Sequence, residues 1–269
     1  MELLTILLSG LLTAGAPVGL IVEEITDTQL SKRLESAETF EVRIDNLPAH
    51  KIIDGEIDKI RIASRGVEIV EGFRLEALEL ETDPLNIDLQ RLRQRQFDAE
   101  TFREPIKAGL RFVLTEEDLN ESLRSPGVRR VLQPLVNRLL TIPGSPKPPQ
   151  YQLDVATIDF VGGNRFEFRG DISQLDPQTG ETEYSQLTLS YKLQLTSGSE
   201  IQWIEGQGSI NDKPLPIPAI NGFSQGVGSR LNLQRFDERG LVARFFALDI
   251  DEAALETAMF LQFMPQESE

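Results

Sequence analysis

One serine in this chain has the neighbours of a hydrolase nucleophile. Gly222-Phe223-Ser224-Gln225-Gly226 matches the pattern that seats a serine on a sharp turn between a strand and a helix, where a histidine takes its proton. The elements that would position it argue otherwise. Pro214 to Pro218, just before it, holds three prolines and cannot supply a central strand. The one histidine, His50, lies upstream of Ser224, whereas that fold places it downstream. His50 follows Leu47-Pro48-Ala49 in what reads as an exposed loop, and the sequence offers it no specific acid–base partner. A serine esterase is therefore the third of three readings.

Other reactive groups are scarce. The chain has no cysteine, which excludes disulfides, thiol catalysis and cysteine-held metals. Asp249-Ile250-Asp251-Glu252 and the set Glu76, Glu79, Glu81 and Asp83 lack the glycine and ligand spacing of a calcium loop. They read as solvent-facing strand and turn residues. No phosphate-binding glycine loop occurs, so no metal or cofactor is expected.

Charge narrows the partners. With 27 basic and 43 acidic residues in 269, the net charge is −16, which disfavours nucleic acid as a partner. Residues 89–140 are the exception, with ten basic residues against seven acidic ones. That segment reads either as a solvated mixed-charge face or as a surface that meets anionic head groups.

The N-terminus carries an uncharged run from Leu3 to Val22, long enough to span a bilayer core of about 30 Å as a helix. Gly10, Gly15, Pro17 and Gly19 weaken it, and only Glu2 precedes it, so the basic start of an export signal is missing. Residues 1–16 are taken as an uncleaved, membrane-associated segment. Residues 17–269 form one domain, with a subdomain boundary at the proline-rich stretch 141–150.

The rest is mostly strand. Phe40, Val42 and Ile44 alternate with charged residues, as do Ile60 and Ile62, then Phe73, Leu75 and Ala77. The apolar phase then switches to Leu78 and Leu80, which predicts a bulge. Gly55 and Gly66 read as turns. Thr115 reads as a helix N-cap followed by acidic residues, and Ser125-Pro126 restarts a helix that Pro134 should kink. Gly162-Gly163-Asn164 predicts a hairpin. Leu187, Leu189, Tyr191, Leu193 and Leu195 give the cleanest alternation. Ala219 to Phe236 holds at most a weak, glycine-rich helix, and two final strands cover Leu241 to Ile250 and Leu255 to Phe263. The fold class is α+β, a strongly twisted, mainly antiparallel sheet wrapped around helices.

Several of these segments carry a family likeness. Asp54-Gly55-Glu56-Ile57-Asp58-Lys59-Ile60-Arg61-Ile62, Arg65-Gly66-Val67, Leu75-Glu76-Ala77-Leu78-Glu79-Leu80, Leu85-Asn86-Ile87-Asp88 and Leu114-Thr115-Glu116-Glu117-Asp118-Leu119-Asn120 resemble the LmeA-like phospholipid-binding family, its cyanobacterial members among them. The resemblance covers most of the chain from Val18 onward. It implies a fold similar to tubular lipid-binding domains, with a curved sheet that cups a helix and leaves an apolar groove. It also implies phospholipid binding at a membrane in an extracytoplasmic setting, on the periplasmic or thylakoid side. It brings no catalytic residues, and it gives Gly55, Asp58 and Gly66 structural roles.

A groove for acyl chains needs aliphatic and aromatic lining and little else, at about 0.8 kcal/mol per buried methylene. The candidate lining residues are Val131, Leu135 and Leu139 on the kinked helix, and Leu189, Tyr191, Leu193, Met259, Leu261 and Phe263 on strands. Arg91, Arg93, Arg95, Arg129 and Arg130 are the candidate head-group contacts. The first reading is a non-enzymatic phospholipid holder or carrier at a membrane surface. The second is a scaffold whose sheet binds an unknown protein partner.

Overall fold

The computed structural model describes residues 37–70, 72–93, 101–140, 151–175 and 180–263. In chain order, β1 (Thr39–Asp45) leads through a 3-10 helix (Ala49–Asp54) to β2 (Glu56–Ile57), β3 (Lys59–Val70), β4 (Phe73–Thr82) and β5 (Leu85–Asn86). The short helix α1 (Leu89–Arg93) precedes β6 (Ile106–Thr115), α2 (Glu116–Arg124) and α3 (Pro126–Leu140). A meander follows: β7 (Tyr151–Gly162), β8 (Arg165–Leu175), β9 (Thr182–Thr196), β10 (Glu200–Ile210) and β11 (Lys213–Pro214). Then come α4 (Ile217–Leu231), a 3-10 helix (Leu233–Arg239), β12 (Leu241–Ile250) and β13 (Ala254–Phe263).

These strands build two principal antiparallel sheets instead of one. The first runs β1-β3-β4-β6-β13-β12, and the second runs β11-β10-β9-β8-β7. The C-terminal hairpin therefore returns to finish the sheet begun by the N-terminal strands. The second sheet hooks onto β12 through its turns. Asn164, at the β7–β8 tip, takes up both backbone groups of Ile250, and Gly198, at the β9–β10 tip, accepts the Phe245 N–H. The Gly162-Gly163-Asn164 hairpin is as expected, with all three residues at positive φ.

The largest core lies where α2, α3 and α4 meet the inner face of the second sheet. The alternating residues of β9 point into it, with Leu187, Leu189, Tyr191 and Leu193 all buried. α4 forms despite its glycines because Ile220 and Phe223 pack into that core, and tertiary burial outweighs propensity. Two smaller clusters serve the first sheet.

The Thr115 cap is present: its hydroxyl accepts the Asp118 N–H at 3.1 Å. Ser125 and Pro126 restart the helix as expected, and α3 continues through Pro134. Two local expectations are corrected. Gly66 is no turn; it lies inside β3 at φ 61°, where a Cβ would come within 2.8 Å of the Glu38 side chain. The phase switch in β4 is no bulge either, because Ala77 and Leu78 pair with Arg65 and Ser64 in unbroken register. β4 instead passes between two clusters: Leu75 packs with Val67 and Leu114, and Leu80 with Ile60, Ile62 and Ile106. Gly55 does mark a turn. Its φ is 85°, and a Cβ there would stand 2.0 Å from the Ile87 carbonyl oxygen.

α2 and α3 also solve an edge problem. β7 is the last strand of the second sheet, and its outer backbone groups need partners. Asn120 gives its amide N–H to Ile158 O and takes the Ile158 N–H, both at 2.8 Å. Glu116 accepts the Phe160 N–H at 2.7 Å, Gln133 that of Leu153 and Asn137 that of Tyr151, both at 2.9 Å. Glu116 and Asn120, like Gln133 and Asn137, are four residues apart, so each pair projects from one helix face. The two helices thus act as a substitute neighbouring strand.

Candidate functional site: the apolar face of the six-stranded sheet

Strand register aligns one phase of side chains across the whole first sheet. Val42 pairs with Ile62, Ile62 with Leu80, Leu80 with Leu110, Leu110 with Met259, and Met259 with Phe245. This unbroken apolar row crosses all six strands. At about 4.8 Å per strand it spans about 24 Å. Thr82, Ala108, Leu261 and Ala243 form a parallel row on one side of it. Leu78, Phe112, Thr257 and Leu248 form another on the other side. Alternation, with the register shift between Phe245 and Ala247 on β12, places these side chains on the same face.

Among the described residues, Ile57, Leu85 and Ile87 pack with Ile60 and Ile62 at one end, where Leu80 and Phe263 join them, and Phe245, Leu248 and Leu255 join the large core at the other. Leu80, Leu110, Leu261 and Phe263 are half-buried, whereas Met259, Ala108 and Ala243 beside them are buried.

The opposite face of the same sheet is ionic. Arg61 bridges Asp45 and Glu81, and Lys59 also meets Glu81. Arg111 lies 3.3 Å from Glu79 and 2.9 Å from Glu256. Lys59 and Arg61 hold the Glu81 carboxyl below its ordinary range, and Glu256 raises the Arg111 guanidinium. Ala77 and Val113, buried, and the Phe246–Phe260 pair interrupt these charged rows.

The sequence-derived lining residues divide between two places. Met259, Leu261 and Phe263 stand on this apolar face. Leu139, Leu189, Tyr191 and Leu193 meet in the large core instead. There Tyr191 donates to Ile220 O at 3.0 Å, its ring lies 5.4 Å from that of Trp203, and burial pushes its phenol up to about 12. Leu135 is buried on α3. The Val131 side chain lies outside the described residues. Leu80 and Leu110, central to the row, and Phe245 at its end escaped sequence reasoning because alternation shows that a strand is one-sided but not which strands share a sheet.

The basic residues do not converge. Arg91 sits on α1, two residues from Leu89, which packs at the β2–β5 end of the apolar face. The Arg93 side chain and the whole of Arg95 lie outside the described residues. Arg129 and Arg130 are exposed on α3, and Arg129 donates to Arg124 O at 2.9 Å.

Three surface depressions formed by described residues have a different character. One of about 710 Å³ crosses the outer face of the second sheet between Asp154, Asp171, Tyr184 and Asn211. One of about 400 Å³ lies between β10 and α4, and one of about 370 Å³ surrounds Arg74 and Asp118. Each mixes polar and apolar walls.

Ser224 lies within α4, its hydroxyl spent on Asn221 O at 3.0 Å, so the strand–turn–helix of a nucleophile elbow is absent. His50 belongs to the 3-10 helix beside the other sheet. Among the described residues no cluster of acidic or histidine side chains is placed to hold a metal ion. None of their helices is long and apolar enough to cross a membrane. Residues 1–36, which include the apolar run, and the stretch 141–150 lie outside the described residues.

No curated protein and no solved structure matches the chain. A family model does, over residues 13–257, and it bears out the likeness read from the glycine and aliphatic segments. The chain belongs to the LmeA-like phospholipid-binding family.

Proposed function

We propose that this protein holds a phospholipid by laying its acyl chains on the apolar face of the six-stranded sheet, and that it does so as a non-enzymatic holder or carrier at a membrane surface. The observation that carries the reading is the uninterrupted row from Val42 to Phe245, backed by an ionic opposite face. Its span of about 24 Å exceeds the depth of one leaflet, about half of a 30 Å hydrocarbon core. Burial of acyl methylenes is non-directional, at about 0.8 kcal/mol each, which explains why the site has aliphatic lining and no cluster of reactive groups. Met259, Leu261 and Phe263 keep their lining role with Leu80 and Leu110 beside them, and Arg91 supplies a cation near one end. The apolar N-terminal run supports membrane association, and family membership supports the lipid class.

Native mass spectrometry with lipid extraction tests the reading. The expected result is a phospholipid at about one per chain, lost when Leu110→Glu and Leu261→Glu are combined. Unchanged Trp203 emission in that variant would show that the large core survives. A clean unliganded mass after incubation with phospholipid vesicles would overturn the reading and turn the search to protein partners.

A further inference from the structure

The loop between β1 and β2 is clamped at its neck and apolar at its tip. At the neck, Asn46 accepts the Asp58 N–H at 2.6 Å and gives its own amide N–H to Glu56 O at 3.0 Å. Asp58 accepts the Leu47 N–H at 2.8 Å and meets Lys51 Nζ at 3.4 Å. Those bonds hold the Asp58 carboxyl below its usual range, with the Leu47 N–H the main cause. Beyond the neck the sequence is Leu47-Pro48-Ala49-His50-Lys51-Ile52-Ile53-Asp54, five of whose eight residues are apolar. Leu47 is 84% exposed and Ile53 is 76% exposed. Two large aliphatic side chains on one short loop are thus held at the surface by a hydrogen-bonded neck.

The loop's position gives those side chains a use. It leaves β1 at Asp45, where the apolar face ends under Ile57, Leu85 and Ile87. Eight residues make too small a footprint for a stable protein interface, which needs about 800 Å² per partner. A bilayer requires only that aliphatic side chains enter it. Lys51 is paired with Asp58, and Asp54 and Glu56 follow it within five residues, so attraction to anionic lipid is not the driving term.

We infer that Leu47 and Ile53 form a bilayer-inserting tip that sets the β1 edge of the six-stranded sheet against the membrane. This rests on the acyl-lipid reading above, and it adds the surface through which lipid would reach the sheet.

The absence of native cysteine makes the test clean. Ile53→Cys, and separately Tyr184→Cys on the outer face of the second sheet, are labelled with an environment-sensitive fluorophore in the full chain. Each is mixed with phosphatidylcholine vesicles carrying acyl-chain nitroxides. The label at 53 is expected to be quenched by the nitroxides and shielded from aqueous iodide, with little change between low and high salt, while the label at 184 stays accessible to iodide. Leu47→Ser combined with Ile53→Ser should weaken vesicle binding at least tenfold without altering Trp203 emission. A label at 53 as open to iodide as that at 184, or a chain that stays free of the vesicles, overturns the tip. If the chain nevertheless carries phospholipid in native mass spectra, the holding site stands without the tip. If it carries none, the holding site fails whatever the label reports.

Discussion

Arg74 Nη1 lies 2.7 Å from one carboxylate oxygen of Asp118 and 2.8 Å from the other, tying β4 to the first turn of α2. The Asp118 side chain is 6% exposed, and Thr115 donates its hydroxyl to the same carboxylate at 2.7 Å. Arg74 also reaches Glu38 at 2.8 Å and Glu76 at 3.2 Å, and these partners, Asp118 foremost, raise its guanidinium well above the ordinary value. Arg74→Met leaves a buried carboxylate unpaired. It should cost about 3 kcal/mol, the lower part of the range for a broken buried pair. Urea unfolding reads this directly, and a loss under 1 kcal/mol would show that the pair does not anchor α2.

The substitute strand made by α2 and α3 predicts an edge defect. Asn120→Ala strips partners from both the N–H and the C=O of Ile158. The expected loss is about 2 kcal/mol, with increased self-association as β7 becomes an open edge. Light scattering checks the second part. A stable, monodisperse variant would mean that water replaces Asn120 at no cost.

The closed core around Tyr191 gives a packing test. A Cβ at Gly206 would stand 2.4 Å from Tyr191 Cε1 and 2.8 Å from Ile220 Cγ2. Gly206→Ala should therefore destabilise by about 1–3 kcal/mol through overpacking. Trp203, the one tryptophan, sits 5.4 Å from the Tyr191 ring and should report the shift in its emission. Tyr191→Ala in the same background should relieve the clash, and a double variant no more stable than the sum of the singles would refute it.

Stability should fall at both pH extremes for opposite reasons. Asp237 is held below the usual carboxylate range by Arg244, which grips it at 2.6 and 3.0 Å, and Asp251 by the N–H groups of Ala253 and Ala254. A carboxyl with a lowered folded value contributes above its unfolded value of about 4 and loses that contribution as pH falls through the folded value. Tyr191 is raised to about 12, so its contribution is complete below about 10 and is lost as pH rises toward 12. Urea midpoints should be flat from about pH 5 to 9 and fall on either side. Asp237→Asn should soften the acid limb and Tyr191→Phe the alkaline limb; unchanged limbs would assign them to other groups.

Much of the local structure was legible in the sequence. The Thr115 cap, the Ser125-Pro126 restart, the Gly162-Gly163-Asn164 hairpin and the alternation of β9 follow from chemistry within a few residues. The switch in β4 was visible but misread. A phase change looks the same in sequence whether the backbone bulges or the strand passes from one core to another, and only pairing with Ser64 and Arg65 separates the two. α4 looked weak because its glycines lower propensity, whereas its stability comes from Ile220 and Phe223 in the large core.

The candidate site shows the same division. Composition alone excluded thiol and multi-histidine chemistry, and one-sided strands with scarce reactive groups pointed to apolar burial. Periodicity marked Met259, Leu261, Phe263, Leu189, Tyr191 and Leu193 as alike, because alternation records only that one side of a strand avoids water. Tertiary structure put the first three on the apolar face of the six-stranded sheet and the last three in the large core. The reason is that β13 pairs with β6 across a long stretch of chain while β9 pairs with its sequence neighbours. Register between distant strands is set by the sum of contacts across the whole sheet, and no local pattern carries it.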